Sequence, residues 1–465
     1  EHPLRVAIVG TGPSGMYAAQ SLLQQDGPTV SIDLFDRLPA PWGLVRYGVA
    51  PDHQKIKNVI RVFEKTADDP RVSFFGHVHF GRDLTREDLL RHYHQVVYAV
   101  GAQGDREMGI SGEDLAGSWS STEFVNWYNC HPDLADSCYP LEHERVAVVG
   151  IGNVAMDVTR ILARPAEELA TTDISDEALR CLRASRVREI HVLARRGPVQ
   201  AKCSPAELRE VGELAGVQVV VDAAELELDP TSEAELADDR AAQKNLELWR
   251  QWAEQPLDPD KRHVRFRFMV SPVEVLAADS RVAGLRVERN RLEPRPGGGT
   301  RPVGSGEAET LPVTLVIRAI GYKSLPLVDL PYDARRAVVP NDRGRVIDPG
   351  AGEAPLAREY VVGWVKRGPS GLIGSNKMDA AETVERMMEE VPELAPLPGA
   401  AATRREMERL LAGRGVRFVT YDDWRRLDAR EVERGRRHGR PRVKFLRVEE
   451  MLAELDADTS EAVGE

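Results

Sequence analysis

Long apolar runs are missing from this sequence of 465 residues, and none approaches the length of a bilayer span. A transmembrane helix needs about 20 consecutive apolar residues, so none is expected. Aromatic residues make up 6% of the chain, and lysine is rare, with 10 lysines against 52 arginines. We attribute this bias to GC-rich coding, because a binding surface has no reason to exclude lysine so broadly. The formal net charge of -12 argues against a general nucleic-acid binder.

Cysteine is also scarce, since the chain has four, namely Cys130, Cys138, Cys181 and Cys203. No two of them form a Cys-x-x-Cys pair, and their spacing matches no metal-ligand pattern. This argues against an Fe–S cluster held by the chain and against a redox dithiol of the thioredoxin-reductase kind. Four histidines between residues 77 and 94 lack an accompanying set of carboxylates, so we expect no metal site.

One pattern occurs twice in the chain: an apolar strand, a glycine-rich turn, a helix and further apolar strands. The strands predicted for the first copy cover residues 5–10, 30–35 and 95–100. Those predicted for the second copy cover residues 145–150, 189–194 and 314–320. Because strands that alternate with helices form parallel sheets, the pattern predicts an α/β protein with two Rossmann-like dinucleotide-binding domains.

The first turn carries Gly10-x-Gly12-x-x-Gly15 between a strand and a helix. In such a turn the first glycine permits a tight bend, the second lets a pyrophosphate approach, and the third lets helix and strand pack closely. Asp36 ends the next strand, where a carboxylate can accept hydrogen bonds from ribose hydroxyls. We therefore predict a dinucleotide site, the alternative being a turn that only closes a sheet.

The second turn, Gly150-x-Gly152-x-x-Ala155, repeats the pattern, but Arg195 and Arg196 end the following strand in place of an acid. Two guanidinium groups can hold a 2′-phosphate, which favours NADP(H) over NAD(H). The alternative is a solvated arginine pair on a loop. The first copy of the pattern, in which Asp36 ends the corresponding strand, suits FAD, whose ribose carries no 2′-phosphate. A flavin beside a nicotinamide implies hydride transfer.

A third block follows residue 321, with a predicted strand over 360–364, a glycine-rich turn over 366–377 and a helix over 379–390. We predict that residues 1–103 and 322–465 form the FAD-binding domain, the second part including a C-terminal extension. The NADP-binding domain, residues 104–321, is then inserted in it. Residues 294–309 are rich in Gly and Pro, which predicts a surface hairpin loop or linker.

Four stretches are longer and more specific than the glycine turns. They are PWGLVRYGVAPDH at 41–53, GIGNVAMD at 150–157, RRGP at 195–198 with ELR at 207–209, and GWVKRGPSGLI at 363–373. On these stretches the chain resembles the adrenodoxin-reductase-like ferredoxin–NADP reductases, over nearly its whole length and including residues 422–441. Ile151, where relatives often carry Gln or Asn, departs from the family pattern. So does KCSP at 202–205, where relatives have an aromatic residue and Thr.

The resemblance implies a flavoprotein that oxidises NADPH through FAD and passes electrons singly to a ferredoxin, which often serves a haem monooxygenase or Fe–S assembly. It implies FAD contacts at Ser14, Asp36, Leu44, Val78, Trp364, Gly371, Leu372 and Ile373. It implies NADP contacts at Gly152, Asn153, Val154, Ala155, Arg195, Arg196, Glu207 and Gly371. Independently, Trp364 before a glycine-rich turn and a helix offers a flavin an aromatic wall and a positive helix end.

His53 and Asp157 resemble a family pair that face each other near the flavin. A carboxylate beside an imidazole would orient it. Two interpretations stay open: a role in proton balance or ferredoxin docking, or a structural hydrogen bond between domains.

The expected partner is a [2Fe–2S] or similar ferredoxin, with neither nucleic acid nor membrane insertion. Because such ferredoxins are acidic, a basic face is expected at Arg240, Lys244 and Arg250 or along residues 434–442. We expect a monomer in the cytoplasm, with the mitochondrial matrix as the alternative. Three competing functions are a flavin monooxygenase or oxidase, an electron-transfer subunit of the glutamate-synthase type, and a non-catalytic FAD-binding scaffold. The second usually brings cysteine clusters, and the third has no use for a 2′-phosphate site.

Overall fold

The computed structural model of the protein describes residues 3–295, 298–397 and 403–462. Its strands are β1 (Leu4–Val9), β2 (Val30–Phe35), β3 (Val72–Phe75), β4 (Gln95–Tyr98), β5 (Gly104–Asp105), β6 (Ser118–Ser120), β7 (Arg145–Val149), β8 (Glu189–Leu193), β9 (Val217–Val221), β10 (Arg262–Arg267), β11 (Val270–Ala278), β12 (Arg281–Pro294), β13 (Thr300–Leu311), β14 (Leu315–Arg318), β15 (Tyr322–Lys323), β16 (Asn341–Asp342), β17 (Arg345–Asp348) and β18 (Ala354–Val361).

The helices are α1 (Pro13–Leu23), α2 (Leu44–Tyr47), α3 (Gln54–Lys57), α4 (Ile60–Ala67), α5 (Arg86–His92), α6 (Ser121–Tyr128), α7 (Asn153–Ala163), α8 (Ala166–Leu169), α9 (Asp176–Arg183), α10 (Pro205–Gly212), α11 (Pro230–Asp238), α12 (Arg240–Ala253), α13 (Trp364–Arg367), α14 (Ser375–Glu389), α15 (Arg404–Gly413), α16 (Tyr421–Arg437) and α17 (Val448–Ala462). None of these helices is both long and apolar enough to cross a membrane.

The chain divides into two compact units. Unit 1 consists of Glu1–Gly104, Asn129–Ala135 and Tyr322–Glu465. Unit 2 consists of Asp105–Tyr128 and Asp136–Gly321. The sequence pattern gave no signal that residues 129–135 return to unit 1 in the middle of the chain.

Side-chain contacts explain why residues 129–135 belong to unit 1. The Arg37 guanidinium donates two hydrogen bonds to the Asp133 carboxylate, at 3.0 and 2.7 Å. The His131 ring packs on the Tyr47 ring with centroids 4.9 Å apart. Burial lowers the pKa of His131 to about 4, although Asp133 opposes the shift. His131 Nδ1 accepts a hydrogen bond from the Asp133 N–H at 3.2 Å, which fits the neutral imidazole.

The sheet of unit 1 has the strand order β16-β17-β18-β4-β1-β2-β3. Strands β18, β4, β1, β2 and β3 run parallel, and β17 and β16 are added antiparallel. Val6 and Ile8 of β1 lie in one hydrophobic cluster, whereas Ala7 and Val9 lie in another. Because successive side chains of a strand point to opposite faces, β1 is buried on both faces. Its one charged residue, Arg5, is buried too and forms an ion pair with Asp33 at 2.7 Å.

Unit 2 has a second parallel sheet, with the order β6-β14-β7-β8-β10-β9. In both sheets the strand before the glycine turn lies inside the sheet, with a neighbour on each side that comes later in the chain. The crevice at the carboxyl end of such a strand is where α/β sheets bind their ligands. The fold is therefore α/β with two Rossmann-like domains, the second inserted in the first.

Unit 2 also carries an antiparallel sheet of β11, β12 and β13. The prediction of a loop over 294–309 was wrong for residues 300–309, which belong to β13 and pair with β12. The glycines and Pro302 are tolerated because β13 is an edge strand. An edge strand pairs on one side, so it can include a proline, which has no N–H to donate. Residues 296 and 297 lie outside the described part of the chain.

The predicted strand over 360–364 was wrong at its end, since β18 stops at Val361. Gly363 has φ +73° and turns the chain, and Trp364 then begins α13. Helix α14 starts at Ser375, four residues earlier than predicted. The Gly363 N–H donates a hydrogen bond to the Asp379 carboxylate of α14, which fixes the turn against that helix.

Candidate dinucleotide-binding sites

The first glycine turn is shaped by two positions where a side chain cannot fit. Gly10 has φ +107°, and a Cβ there would lie 2.5 Å from the Ala99 carbonyl oxygen. A Cβ on Gly15 would lie 2.0 Å from the Gly10 oxygen. The nearest atom to a Cβ on Gly12, in contrast, would be the Gly43 Cα at 3.9 Å. The turn is therefore closed at its two ends and open at Gly12, where a pyrophosphate would approach.

Helix α1 presents its N-terminus at this opening. Gly12 is its N-cap residue, and no side chain accepts a hydrogen bond there. The amide groups of the first turn and the helix dipole are then available for an anion. This arrangement fits the phosphates of a dinucleotide.

Asp36 follows β2 and holds the glycine turn closed. Its Oδ2 accepts hydrogen bonds from the Thr11 hydroxyl and, at 3.1 Å, from the Thr11 N–H. Its Oδ1 accepts one from the Leu38 N–H at 3.1 Å. Burial raises the pKa of Asp36, and these hydrogen bonds oppose that shift. A carboxylate oxygen has two lone pairs, so Asp36 can also accept a ribose hydroxyl. Thr11 was not predicted from the sequence.

A strained loop supports the turn from the other side. Trp42 has φ +84°, an uncommon conformation for a bulky residue, and Gly43 has φ +48°. A Cβ on Gly43 would lie 2.9 Å from the Gly12 Cα, and the Trp42 N–H donates to the Thr11 carbonyl at 3.2 Å. Leu44 begins α2 directly after this loop, so the predicted FAD contact lies beside the glycine turn.

The predicted flavin segment meets the N-terminus of α1 at Gly363. A Cβ on Gly363 would lie 2.5 Å from the Ser14 Cβ. The Trp364 ring packs on Tyr322, with centroids 5.3 Å apart and planes tilted by 34°. The Trp364 Nε1–H donates to the Ser370 carbonyl at 3.2 Å, which ties the aromatic residue to the glycine-rich turn after it. Tyr322 was not predicted, because nothing in its sequence surroundings marks it.

The remaining predicted FAD contacts lie on the same unit. Gly371, Leu372 and Ile373 precede α14, and the Leu372 side chain is 68% exposed. The Ile373 carbonyl accepts a hydrogen bond from Asn376 at 3.1 Å. Val78 is buried, and its N–H donates to the Asp36 carbonyl at 2.8 Å.

The glycine turn of unit 2 repeats this geometry. Gly150 has φ +127°, and a Cβ there would lie 2.1 Å from the Ala319 oxygen. A Cβ on Gly152 would have no atom within 4 Å, and Gly152 caps α7 without a side-chain hydrogen bond. Ala155 is fully buried, as the third position of the pattern requires, and Val154 lies in the first turn of α7. This turn also fits a dinucleotide pyrophosphate.

The two departures from the family pattern meet beside this turn. The N–H groups of Lys202 and Cys203 both donate to the Ile151 carbonyl at 3.0 Å. The Asn153 side chain accepts a hydrogen bond from the Ser204 N–H at 2.8 Å. Residue 151 and residues 202–204 thus form one piece of backbone around the N-terminus of α7.

A buried arginine joins two of the predicted site residues. Arg160 of α7 is 0% exposed, and its guanidinium contacts the Asp157 carboxylate at 2.6 Å and the Glu207 carboxylate at 3.0 Å. Arg160 was not predicted from the sequence. The available signal was the i, i+3 spacing of Asp157 and Arg160 on a predicted helix.

Arg195 and Arg196 follow β8, and their backbone is fixed. The Arg195 carbonyl accepts a hydrogen bond from Asn290 at 2.8 Å, and the Arg196 carbonyl accepts one from the Met269 N–H at 3.2 Å. Arg195 is exposed and Arg196 half-buried. Burial, followed by the charge of Arg195, lowers the pKa of Arg196. Across the described ranges neither side chain has an ion pair, so this pair of cations is suited to an added anion.

His53 precedes α3 in unit 1, and its carbonyl accepts a hydrogen bond from the Ile56 N–H at 3.0 Å. Asp157 lies in unit 2. Their pairing stays a prediction.

These two units, each with a glycine turn at the centre of a parallel sheet, define an oxidoreductase that binds two dinucleotides. Residues 4–235 match the family described as pyridine nucleotide-disulphide oxidoreductase. NADPH-ferredoxin reductase FprA of Mycobacterium leprae is 41% identical to this chain over 97% of it and 98% of the relative. The mitochondrial NADPH:adrenodoxin oxidoreductase of Arabidopsis thaliana is 41% identical over 97% of this chain and 95% of the relative.

The fold agrees with a solved structure, that of Mycobacterium tuberculosis FprA in complex with NADPH. It superposes with a TM-score of 0.91 at 41% identity and covers 97% of this chain and 99% of that one. The chain therefore belongs to the adrenodoxin-reductase-like family of ferredoxin–NADP reductases.

Proposed function

We propose that this chain is an FAD-dependent ferredoxin–NADP oxidoreductase that moves electrons from NADPH to a ferredoxin. The observation that carries the proposal is the difference between two otherwise similar dinucleotide cradles. The strand after the first glycine turn ends in Asp36, which is set to accept ribose hydroxyls. The strand after the second ends in Arg195 and Arg196, which lack ion pairs within the described residues and suit a 2′-phosphate.

The side chains and backbone bind and orient the cofactors, whereas the redox chemistry belongs to the cofactors themselves. Bound FAD supplies an acceptor of two electrons that can release them one at a time. The amides at the start of α1 and α7 would hold the pyrophosphates, and Gly12 and Gly152 leave room for them. Trp364, held by its hydrogen bond to Ser370, would provide a flat apolar wall for the flavin.

The basic face for an acidic ferredoxin is better placed on α12 than on residues 434–442. In the latter stretch, Arg434 contacts Glu454 at 3.0 Å, and Arg442 contacts Asp428 and, at 3.3 Å, Glu431. Arg240, Lys244 and Arg250 are exposed on α12. Within the described ranges these three cations have no ion pair. Cations that are not already neutralised steer an acidic partner more strongly.

For His53 and Asp157 we retain the proposal of a role in proton balance or docking, with a structural hydrogen bond as the alternative. The contact with buried Arg160 supports an Asp157 carboxylate that is fixed in direction. His53→Gln should change the pH profile of ferredoxin-dependent turnover if the pair handles a proton. A structural pair would lower stability and leave the shape of that profile unchanged.

The proposed function is tested by NADPH-dependent reduction of cytochrome c with and without a [2Fe–2S] ferredoxin. We expect a yellow protein with one FAD per chain, and reduction that rises steeply with added ferredoxin. NADH in place of NADPH is the matched control and should support little activity. Rapid NADPH oxidation that yields peroxide, with no response to ferredoxin, would instead support the flavin monooxygenase or oxidase.

The finer points are also proposals: a [2Fe–2S] acceptor that serves a haem monooxygenase or Fe–S assembly, a monomeric protein and a cytoplasmic location. Four cysteines without a disulfide pattern support a reducing compartment. Light scattering at working concentration tests the monomer, and fractionation of the source cells tests the compartment.

A further inference from the structure

Two cysteines that are far apart in the sequence lie together in unit 2. Cys138 Sγ, Cys181 Sγ and one carboxylate oxygen of Glu177 all lie within 4.8 Å of one another. The spacing of the cysteines in the sequence gave no sign of this cluster. A disulfide bond is about 2.05 Å long, so rotation of the two side chains needs to bring the sulfur atoms only a short distance closer.

The two thiols differ in exposure. Cys181 lies on α9 and is 6% exposed, whereas Cys138 is exposed to solvent. The Cys181 thiol donates a weak hydrogen bond to the Glu177 carboxylate, with Sγ and Oε1 3.6 Å apart. Burial, followed by the charge of Glu177, raises the pKa of Cys181 to about 11, although Arg180 opposes the shift. Cys181 is therefore a protonated, shielded thiol at neutral pH, and Cys138 is the one that a solute can reach.

The segment that carries Cys138 is held in place although it has no regular secondary structure. The neighbouring Tyr139 is buried and packs edge-on against Trp119, with ring centroids 4.7 Å apart. The Leu141 carbonyl accepts a hydrogen bond from the Arg186 N–H at 2.9 Å, just after α9 ends. These contacts keep Cys138 beside Cys181, which raises the effective concentration of one thiol at the other.

This cluster is less suited to binding a metal ion than to forming a disulfide bond between its two cysteines. The Arg180 guanidinium already holds both oxygens of Glu177, at 2.9 and 2.5 Å. Arg180 also lies 3.9 Å from the Cys181 sulfur, where its charge would repel a divalent cation. A guanidinium in that position instead stabilises a developing thiolate.

We propose that Cys138 and Cys181 are a modification site at which hydrogen peroxide oxidises the two thiols to one disulfide. The exposed Cys138 sulfur attacks one peroxide oxygen, the O–O bond breaks, and Cys138 becomes a sulfenic acid with release of water. The Cys181 sulfur then attacks the Cys138 sulfur, the S–O bond breaks, and the thiol proton leaves with the hydroxyl as a second water. Two thiols lose two electrons in total, and one peroxide gains them. This inference does not depend on the proposed function.

The experiment treats the full-length flavoprotein with hydrogen peroxide, blocks free thiols by alkylation and counts them in denaturant. We expect the count to fall from four to two and to return to four with dithiothreitol. Digestion with trypsin and Asp-N separates Cys130 from Cys138, because Asp133 and Asp136 lie between them. Mass spectrometry should then find residues 136–145 linked to residues 181–183.

Three variants make the test specific. In Cys181→Ser, peroxide should leave Cys138 as a sulfenic acid that dimedone captures. In Cys138→Ser, Cys181 should stay reduced, because peroxide cannot reach it. Cys203→Ser is the matched control, since Cys203 is also buried, and it should form the linkage as the wild type does. Four free thiols after treatment, or a linkage that includes Cys130 or Cys203, would overturn the proposal.

Discussion

Replacing Arg195 and Arg196 together with alanine should weaken the use of NADPH and leave the use of NADH nearly unchanged. Arg195 is exposed, so its contact with a 2′-phosphate is screened and contributes about 1 kcal/mol. Arg196 is half-buried, and a charge-assisted hydrogen bond there contributes about 2 kcal/mol. Since about 1.4 kcal/mol corresponds to a factor of ten, kcat/KM for NADPH should fall about a hundredfold.

The loss should appear in KM, because the 2′-phosphate is remote from the transferred hydride and is held equally in ground and transition states. Steady-state reduction of ferricyanide with each nucleotide measures both constants. The matched control is the adjacent exposed pair Arg335 and Arg336 in unit 1, whose replacement removes the same charge. An equal loss with NADPH and NADH would show that the arginine pair is structural and does not bind the 2′-phosphate.

Three further changes have defined outcomes. Gly15→Ala should prevent retention of FAD, because its Cβ would lie 2.0 Å from a backbone oxygen. Flavin absorbance after purification measures this. The control Gly413→Ala, whose Cβ meets no atom within 4 Å, should retain FAD. Arg160→Ala should lower the free energy of unfolding in urea by about 3–5 kcal/mol, because the carboxylates of Asp157, Glu207 and Glu210 lose a fully buried partner. Arg183→Ala removes an exposed ion pair and should change it by less than about 1 kcal/mol. Burial lowers the folded-state pKa of His131 to about 4, so the unfolded chain takes up the proton first. The free energy of unfolding should therefore fall as pH drops from about 6.5 to about 4, by about 3 kcal/mol from this group, and His131→Asn should flatten that dependence.

Both nucleotide cradles could be predicted from sequence because their chemistry is local. Each glycine turn lies directly between an apolar strand and a helix, and Asp36 and the arginine pair each end a following strand. The parallel sheets and the insertion of one domain in the other followed from the repeat of this pattern. Backbone conformations that only glycine adopts easily, such as that of Gly10, can likewise be predicted from a few adjacent residues.

What escaped prediction depends on partners that are distant in the chain. Thr11 is part of the site because it donates hydrogen bonds to Asp36. Arg160 is part of it because it forms an ion pair with Glu207 of another helix. Trp364 ends no strand, since a hydrogen bond from Gly363 to Asp379 turns the chain earlier. Cys138 and Cys181 lie together because the packing of Tyr139 and the hydrogen bond from Arg186 to Leu141 hold the segment that carries Cys138. Such pairings are set by tertiary packing, which local periodicity does not record.

The strand pairing of unit 1 also constrains when each part of the protein can fold during synthesis. Glu359 of β18 pairs with Val96 of β4, so the sheet of unit 1 stays open on one side of β4 until β18 (Ala354–Val361) has left the ribosome. Unit 2 ends at Gly321 and can close its sheet before β18 exists. Contacts of such long sequence separation form slowly and leave apolar strand edges exposed in the meantime. We therefore expect unit 2 to fold first, while the free edge of nascent β4 stays exposed until β18 arrives.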